Sequence, residues 1–149
     1  MYPELIPVKE ALNIIEGLKT KPKKEKIILE DANSRVLAEN VTVLIDVPPF
    51  DRAAMDGYAV IADDTTEASK SNPVYLDVVG EIGAGSIYQS VLKSGEALRI
   101  ATGAPMPQGS DAVVMHEHVE LSGNRITINS PLKFQKDVSL RGEDLKEVK

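Results

Sequence analysis

Apolar side chains recur every three or four positions near the start of the chain. In "PVKEALNIIEGL", Val8, Ala11, Leu12, Ile15 and Leu18 form one stripe. That spacing predicts an amphipathic helix, and Pro7 suits its first turn. "KTKPKKEK" breaks the stripe with charge and proline and reads as a solvated linker. "KIILE" then predicts a short strand, and "DANSRVLAEN" a small helix with Asp31 as its N-cap. "VTVLI" predicts a further strand, stopped by "DVPPF". From Tyr58 the pattern changes to alternation and β-branched runs: "YAVIA", "VYLDVVGEI", "EALRIA", "AVVMHEHVEL" and "RITINS". Turn signals separate these runs, among them "GAGS", "KSGE", "TGAPMPQGS" and "SGN". The expected class is α+β and mostly β, with a β-rich domain built of hairpins.

At 149 residues, 42% of them hydrophobic, the chain has enough apolar material for a core. Aromatics supply only 4%, so Val, Ile and Leu carry it. The formal net charge of -6 argues against a nucleic-acid binder held by phosphate contacts. A small anionic ligand remains compatible, because a few cations or a metal ion reverse a local field. There is no cysteine, which excludes disulfides, thiolate nucleophiles and Cys-zinc sites. The N-terminus has no basic region before an apolar run, and no run reaches membrane-spanning length. A soluble cytoplasmic protein without a membrane partner is expected.

Candidate chemistry concentrates in a few loops. In "DVPPFDRAAMDGYAV", Asp51, Arg52 and Asp56 interrupt small apolar residues. An aspartate beside Gly57 suits a tight loop where backbone approaches a ligand, or a turn in which Asp56 caps its own backbone. "GAGS" reads as a hairpin turn, since it lacks the lysine and helix of a phosphate loop. In "ATGAPMPQG", Gly103 and Gly109 permit unusual backbone angles while Pro105 and Pro107 restrict them. Such a loop holds the Thr102 hydroxyl at a fixed place, or simply connects strands. His116 and His118 alternate, which on a strand puts both rings on one exposed face. "SLRGEDL" repeats the acid-and-glycine chemistry through Asp144. Two aspartates from distant segments suit one magnesium ion, which takes one or two carboxylates plus phosphate oxygens and water.

"DVPPFDRAAMDGYAV", "LRIATGAPMPQGSDAVVMHEHVE" and "LRGEDL", in this order, resemble the N-terminal part of the MoeA-type molybdopterin molybdenumtransferases. That family includes the E domain of gephyrin. "EDANSRVLAENV" also resembles the segment before the first motif, although Ser34 stands where the family usually has glycine. Family members continue past "RGED" into an α/β domain that binds the pterin, then into a C-terminal β domain.

The resemblance implies a reaction in which adenylylated molybdopterin and molybdate bind at a homodimer interface, AMP leaves, and molybdenum enters the dithiolene. It implies that Asp56, Thr102 and Asp144 are catalytic. Asp56 and Asp144 are expected to hold Mg²⁺ in a shared cleft, and Thr102 to hydrogen-bond an anionic oxygen. Asp51, Arg52, Met55, Gly57 and Gly103 are expected around the substrate, with Asp51 and Arg52 also able to fix the loop as a local ion pair. It further implies an N-terminal helix over 1–20, an elongated domain from 21–45 plus 131–149, and a β-rich domain over 46–130 inserted into it. The missing pterin-binding domain predicts that this chain alone is inactive. A non-catalytic dimerisation or scaffold module of the gephyrin type is the alternative. The stripe on the first helix is expected to pack on another copy, since burying one large aliphatic side chain is worth about 1.5–3 kcal/mol.

Overall fold

The computed structural model describes residues 5–18 and 22–148. Contacts divide the chain into two units, Met1–Val41 and Thr42–Lys149.

In the first unit the predicted helix forms as α1, Val8–Gly17. None of its residues is buried, and Leu12 and Ile15 are 53% and 61% exposed. The stripe therefore fills no core of its own among the described residues. The strand expected from "KIILE" and the helix expected from "DANSRVLAEN" are both absent. A single 3-10 turn, Leu29–Asp31, stands in their place. Asp31 lies inside that turn and does not cap it. "VTVLI" forms no strand either. A strand needs a neighbour to take up its N–H and C=O groups, and among the described residues no strand pairs with these segments; Val43 O takes a lone N–H, from Val148 at 3.3 Å. Ser34 has φ 63°, a left-handed conformation that favours glycine.

The second unit is the β-rich body. Its strands are β1 (Arg52–Ala53), β2 (Gly57–Val60), β3 (Val74–Ile82), β4 (Glu96–Ile100), β5 (Ala112–Met115), β6 (Val119–Ser122), β7 (Arg125–Ile128) and β8 (Val138–Ser139). Six of them form one sheet in the order β5-β2-β4-β3-β7-β6, and β1 pairs with β8. The mostly-β expectation holds, but hairpins do not dominate. Among the described residues, β6 and β7 are the only consecutive strands that pair antiparallel, as a hairpin through the turn at Gly123 and Asn124. β3 and β4 run parallel, so "GAGS" opens a crossover and is not a hairpin turn. Asp64 anchors the far end of that crossover, accepting hydrogen bonds from Ser94 Oγ at 2.7 Å and Gly95 N–H at 2.8 Å.

Alternation along the central strands fills both faces of the sheet. Tyr58, Val60, Ala97, Ala112 and Val114 belong to one apolar cluster. Ala59, Leu98, Ile100 and Val113 belong to the other. β3 contributes to both, because its register against β4 shifts between Val78 and Glu81. One extra residue reverses the phase of the strand. Leu76 thus joins the first cluster, and Ile82, six residues on, joins the second.

Candidate functional site

The first two motif loops are stitched together by main-chain hydrogen bonds. Ala53 N–H donates to Ala104 O at 3.0 Å, Gly103 N–H to Ala53 O at 2.9 Å, and Met106 N–H to Asp51 O at 2.9 Å. Gly103 makes this possible with φ 81°. The next residue pair along the seam is Asp56 and Thr102. Asp56 Oδ1 accepts both the backbone N–H and the hydroxyl of Thr102, each at 2.7 Å. These bonds hold the Asp56 carboxyl below the usual carboxylate range, the Thr102 N–H most, then its hydroxyl, with a smaller contribution from His116. Asp56 Oδ2 accepts no hydrogen bond among the described residues.

Gly57 is buried in β2, and its lack of a side chain has a steric cause. A Cβ there would lie 2.0 Å from the Val114 carbonyl oxygen. Only glycine lets β2 meet β5 and still turn Asp56 outward. Asp56 then faces an open cleft of about 620 Å³, lined also by Glu81, Ile82, Arg99, Ile100 and His116. Thr102 does not line it and acts on it through Asp56.

His116 and His118 are not on a strand. They occupy the 3-10 turn His116–His118 between β5 and β6. His116 packs edge-on against Tyr58, with ring centroids 4.9 Å apart. Met55 is exposed beside Asp56. Arg52 pairs through β1 with Ser139. The local Asp51–Arg52 ion pair does not form among the described residues. Asp51 Oδ1 accepts the Arg141 N–H at 2.7 Å.

The third motif returns to the start of the first. Residues 137–148 hydrogen-bond to residues 43–54, with Val47 bridged to Leu145 and Asp144 N–H donating to Val47 O at 2.9 Å. Asp144 is exposed on this return and is not among the residues lining the Asp56 cleft. The structure joins Asp56 to Thr102 and seats Asp144 elsewhere. Asp46 and Arg141, an ion pair at 2.6 Å, were not among the residues predicted from the sequence. The available signal was the even spacing of Asp46, Asp51 and Asp56.

Among the described residues, no three His, Cys, Asp or Glu side chains gather to hold a metal. A metal centre made wholly of protein ligands does not fit. One unengaged oxygen on Asp56 does fit the single carboxylate that Mg²⁺ takes alongside phosphate and water. A separate groove of about 520 Å³ on β3, β6 and β7 holds none of the predicted residues. Its charged pair, Asp77 and Arg125, is closed at 2.7 Å.

Comparison with known proteins gives a consistent result. The model of the MoeA N-terminal region (domain I and II) matches residues 6–149. The molybdopterin molybdenumtransferase of Staphylococcus epidermidis is 36% identical over 141 residues, covering 95% of this chain and 34% of the relative. That of Staphylococcus aureus is 37% identical, with the same coverage. The crystal structure of the molybdopterin biosynthesis moeA protein from Pyrococcus horikoshii superposes with a TM-score of 0.84 at 37% identity, covering 98% of this chain and 39% of that one. The chain spans about a third of the length of the curated relatives it matches. With the three motifs in order and the same fold beneath them, this chain belongs to the MoeA family, as its N-terminal region.

Proposed function

We propose that this chain is the N-terminal part of a cytoplasmic molybdopterin molybdenumtransferase that inserts molybdate into adenylylated molybdopterin with release of AMP. The supporting observation is the Asp56–Thr102 contact, in which two motif residues 46 positions apart meet at 2.7 Å beside an open cleft. Two hydrogen bonds to one oxygen favour the ionised form of Asp56 and fix its direction. Its second oxygen is left for the substrate side. Thr102 thus orients the carboxylate, its hydroxyl donating to Asp56 Oδ1. Asp144 acts from the returning loop, and Arg52, Met55 and Gly103 shape the ground between. Mg²⁺, when bound with the phosphates, supplies charge neutralisation for cleavage of the pyrophosphate link. Asp56, through its unengaged oxygen, is the residue that would hold it. The pterin-binding domain comes from outside residues 1–149 and belongs to the partner subunit of a homodimer. The uncovered stripe of α1 is consistent with such an assembly.

The test joins residues 1–149 to the remaining two-thirds of the Staphylococcus aureus relative and follows AMP release. The chimera is expected to turn over and the isolated chain to be silent. Asp56→Asn in the chimera is expected to lower kcat by about 10²–10³-fold, the usual loss of a preorganised electrostatic group, with an unchanged unfolding midpoint. Molybdenum insertion by the isolated chain would refute the division of labour. Parallel loss of stability and activity in the variant would make Asp56 a turn cap. A folded, dimeric chimera that binds but never turns over would favour the anchoring role.

A further inference from the structure

The segment entering the site carries aspartates at equal spacing: Asp46, Asp51 and Asp56. Each accepts a backbone N–H from a distant part of the chain. Asp56 Oδ1 takes that of Thr102 at 2.7 Å, Asp51 Oδ1 that of Arg141 at 2.7 Å, and Asp46 Oδ1 that of Glu147 at 2.9 Å. Asp46 Oδ2 also accepts from Arg141 Nε at 2.6 Å. Arg141 and Glu147 are therefore both tied down, and Asp144 lies between them. The backbone adds to the clasp: Gly142 N–H donates to Pro48 O at 2.8 Å, and Gly142 has φ 70°. The neighbouring acid, Glu143, is occupied by Ser139 Oγ at 2.9 Å and the Leu140 N–H at 3.1 Å. Among the described residues, Asp144 keeps a carboxylate that accepts no hydrogen bond.

We infer that Asp46 and Asp51 are positioning residues that act through Arg141 to set the carboxylate of Asp144 for the transfer reaction. This rests on the reading above, in which Asp144 serves that reaction. Short carboxylates suit the task, because charge-assisted bonds to main-chain N–H groups are strong and directional. Holding both flanks of a turn fixes the path between them. A misplacement of about 1 Å at a reacting group costs up to about 10²-fold in rate.

Two measurements test this. In the 149-residue chain, Asp46→Ala is expected to remove hydrogen-exchange protection from the Glu147 and Asp144 N–H groups; retained protection overturns the clasp. In the chimera, Asp46→Ala and Arg141→Gln, which opens the same clasp from its other end, are each expected to lower kcat about 10- to 10²-fold. KM for adenylylated molybdopterin is expected to stay within about two-fold. Asp46→Asn, which keeps an oxygen for the Glu147 N–H, is expected to fall between. Adding Asp46→Ala to Asp144→Asn is expected to cost nothing further, the mark of residues that act as a unit. A further loss in that background means a merely structural role and overturns the inference. If Asp46→Ala does not fold, Arg141→Gln carries the same decision. Inactive Asp144→Asn beside fully active Asp46→Ala overturns positioning alone. Fully active Asp144→Asn, or a chimera without turnover, counts against the transferase reading and positioning together.

Discussion

Two apolar segments of this chain meet opposite fates. α1 carries a clear stripe, yet Leu12 remains 53% exposed. β4 is half as long, yet Leu98 and Ile100 are 0% and 1% exposed. Their sequences are comparably apolar. What differs is the neighbourhood: β4 has β2 on one side and β3 on the other. A periodic pattern states which side must be covered and is silent on what covers it. The 3-10 turn at Leu29–Asp31 makes the same point, since strand-forming residues without a partner strand do not become a strand.

The sharpest way to break the contrast is to truncate one residue in each segment. Leu98→Ala is expected to destabilise the Thr42–Lys149 unit by about 2–5 kcal/mol, because it removes buried methyl groups and leaves a cavity. Denaturant unfolding followed by circular dichroism measures it.

Acid tests a different part of the same unit. Hydrogen bonds hold Asp46 below the usual carboxylate range, chiefly the Glu147 N–H and then Arg141. Arg125 does the same for Asp77. A depressed carboxyl contributes stability that is full above its unfolded value of 3.8 and is lost as pH falls through the folded value beneath it. The thermal midpoint is expected to be flat from about pH 7 to 5 and to fall below about pH 4. A midpoint that is already dropping near neutrality would show that these contacts do not govern the acid limb.

The smallest effect belongs to α1. Leu12→Ala is expected to change stability by no more than about 0.5 kcal/mol at dilute concentration, as exposed positions do. A loss approaching that of Leu98→Ala, growing with protein concentration, would show that a second copy covers the stripe.

Much of the β-rich body was legible in the sequence, because alternation survives wherever a strand is buried. β3 runs from Val74 to Ile82, the stretch that alternation marked out. The parallel pairing of β3 with β4 was not legible, since alternation carries no direction. "AVVMHEHVEL" reads as one strand, but the polar residues at its middle fold into a turn between two. At the site, the motifs named Asp56 and Thr102, and only the fold revealed that one orients the other. Asp46 was missed because even spacing of aspartates does not say what each one meets, and its ion pair lies 95 positions away. Gly57 drew notice as a loop residue facing ligand, while its reason is the Val114 carbonyl behind it.

The extra residue in β3 gives the cleft an unusual kind of inheritance. The wall that Glu81 and Ile82 form beside Asp56 depends on a count of residues, as a reading frame does. Substitutions along β3 exchange one side chain for another and leave the count intact. Losing one residue between Val78 and Glu81 would realign the rest of the strand, so that Ile82 and Glu81 trade faces. Mutational drift of the ordinary sort can therefore decorate this wall, but a single-codon deletion would turn it inside out.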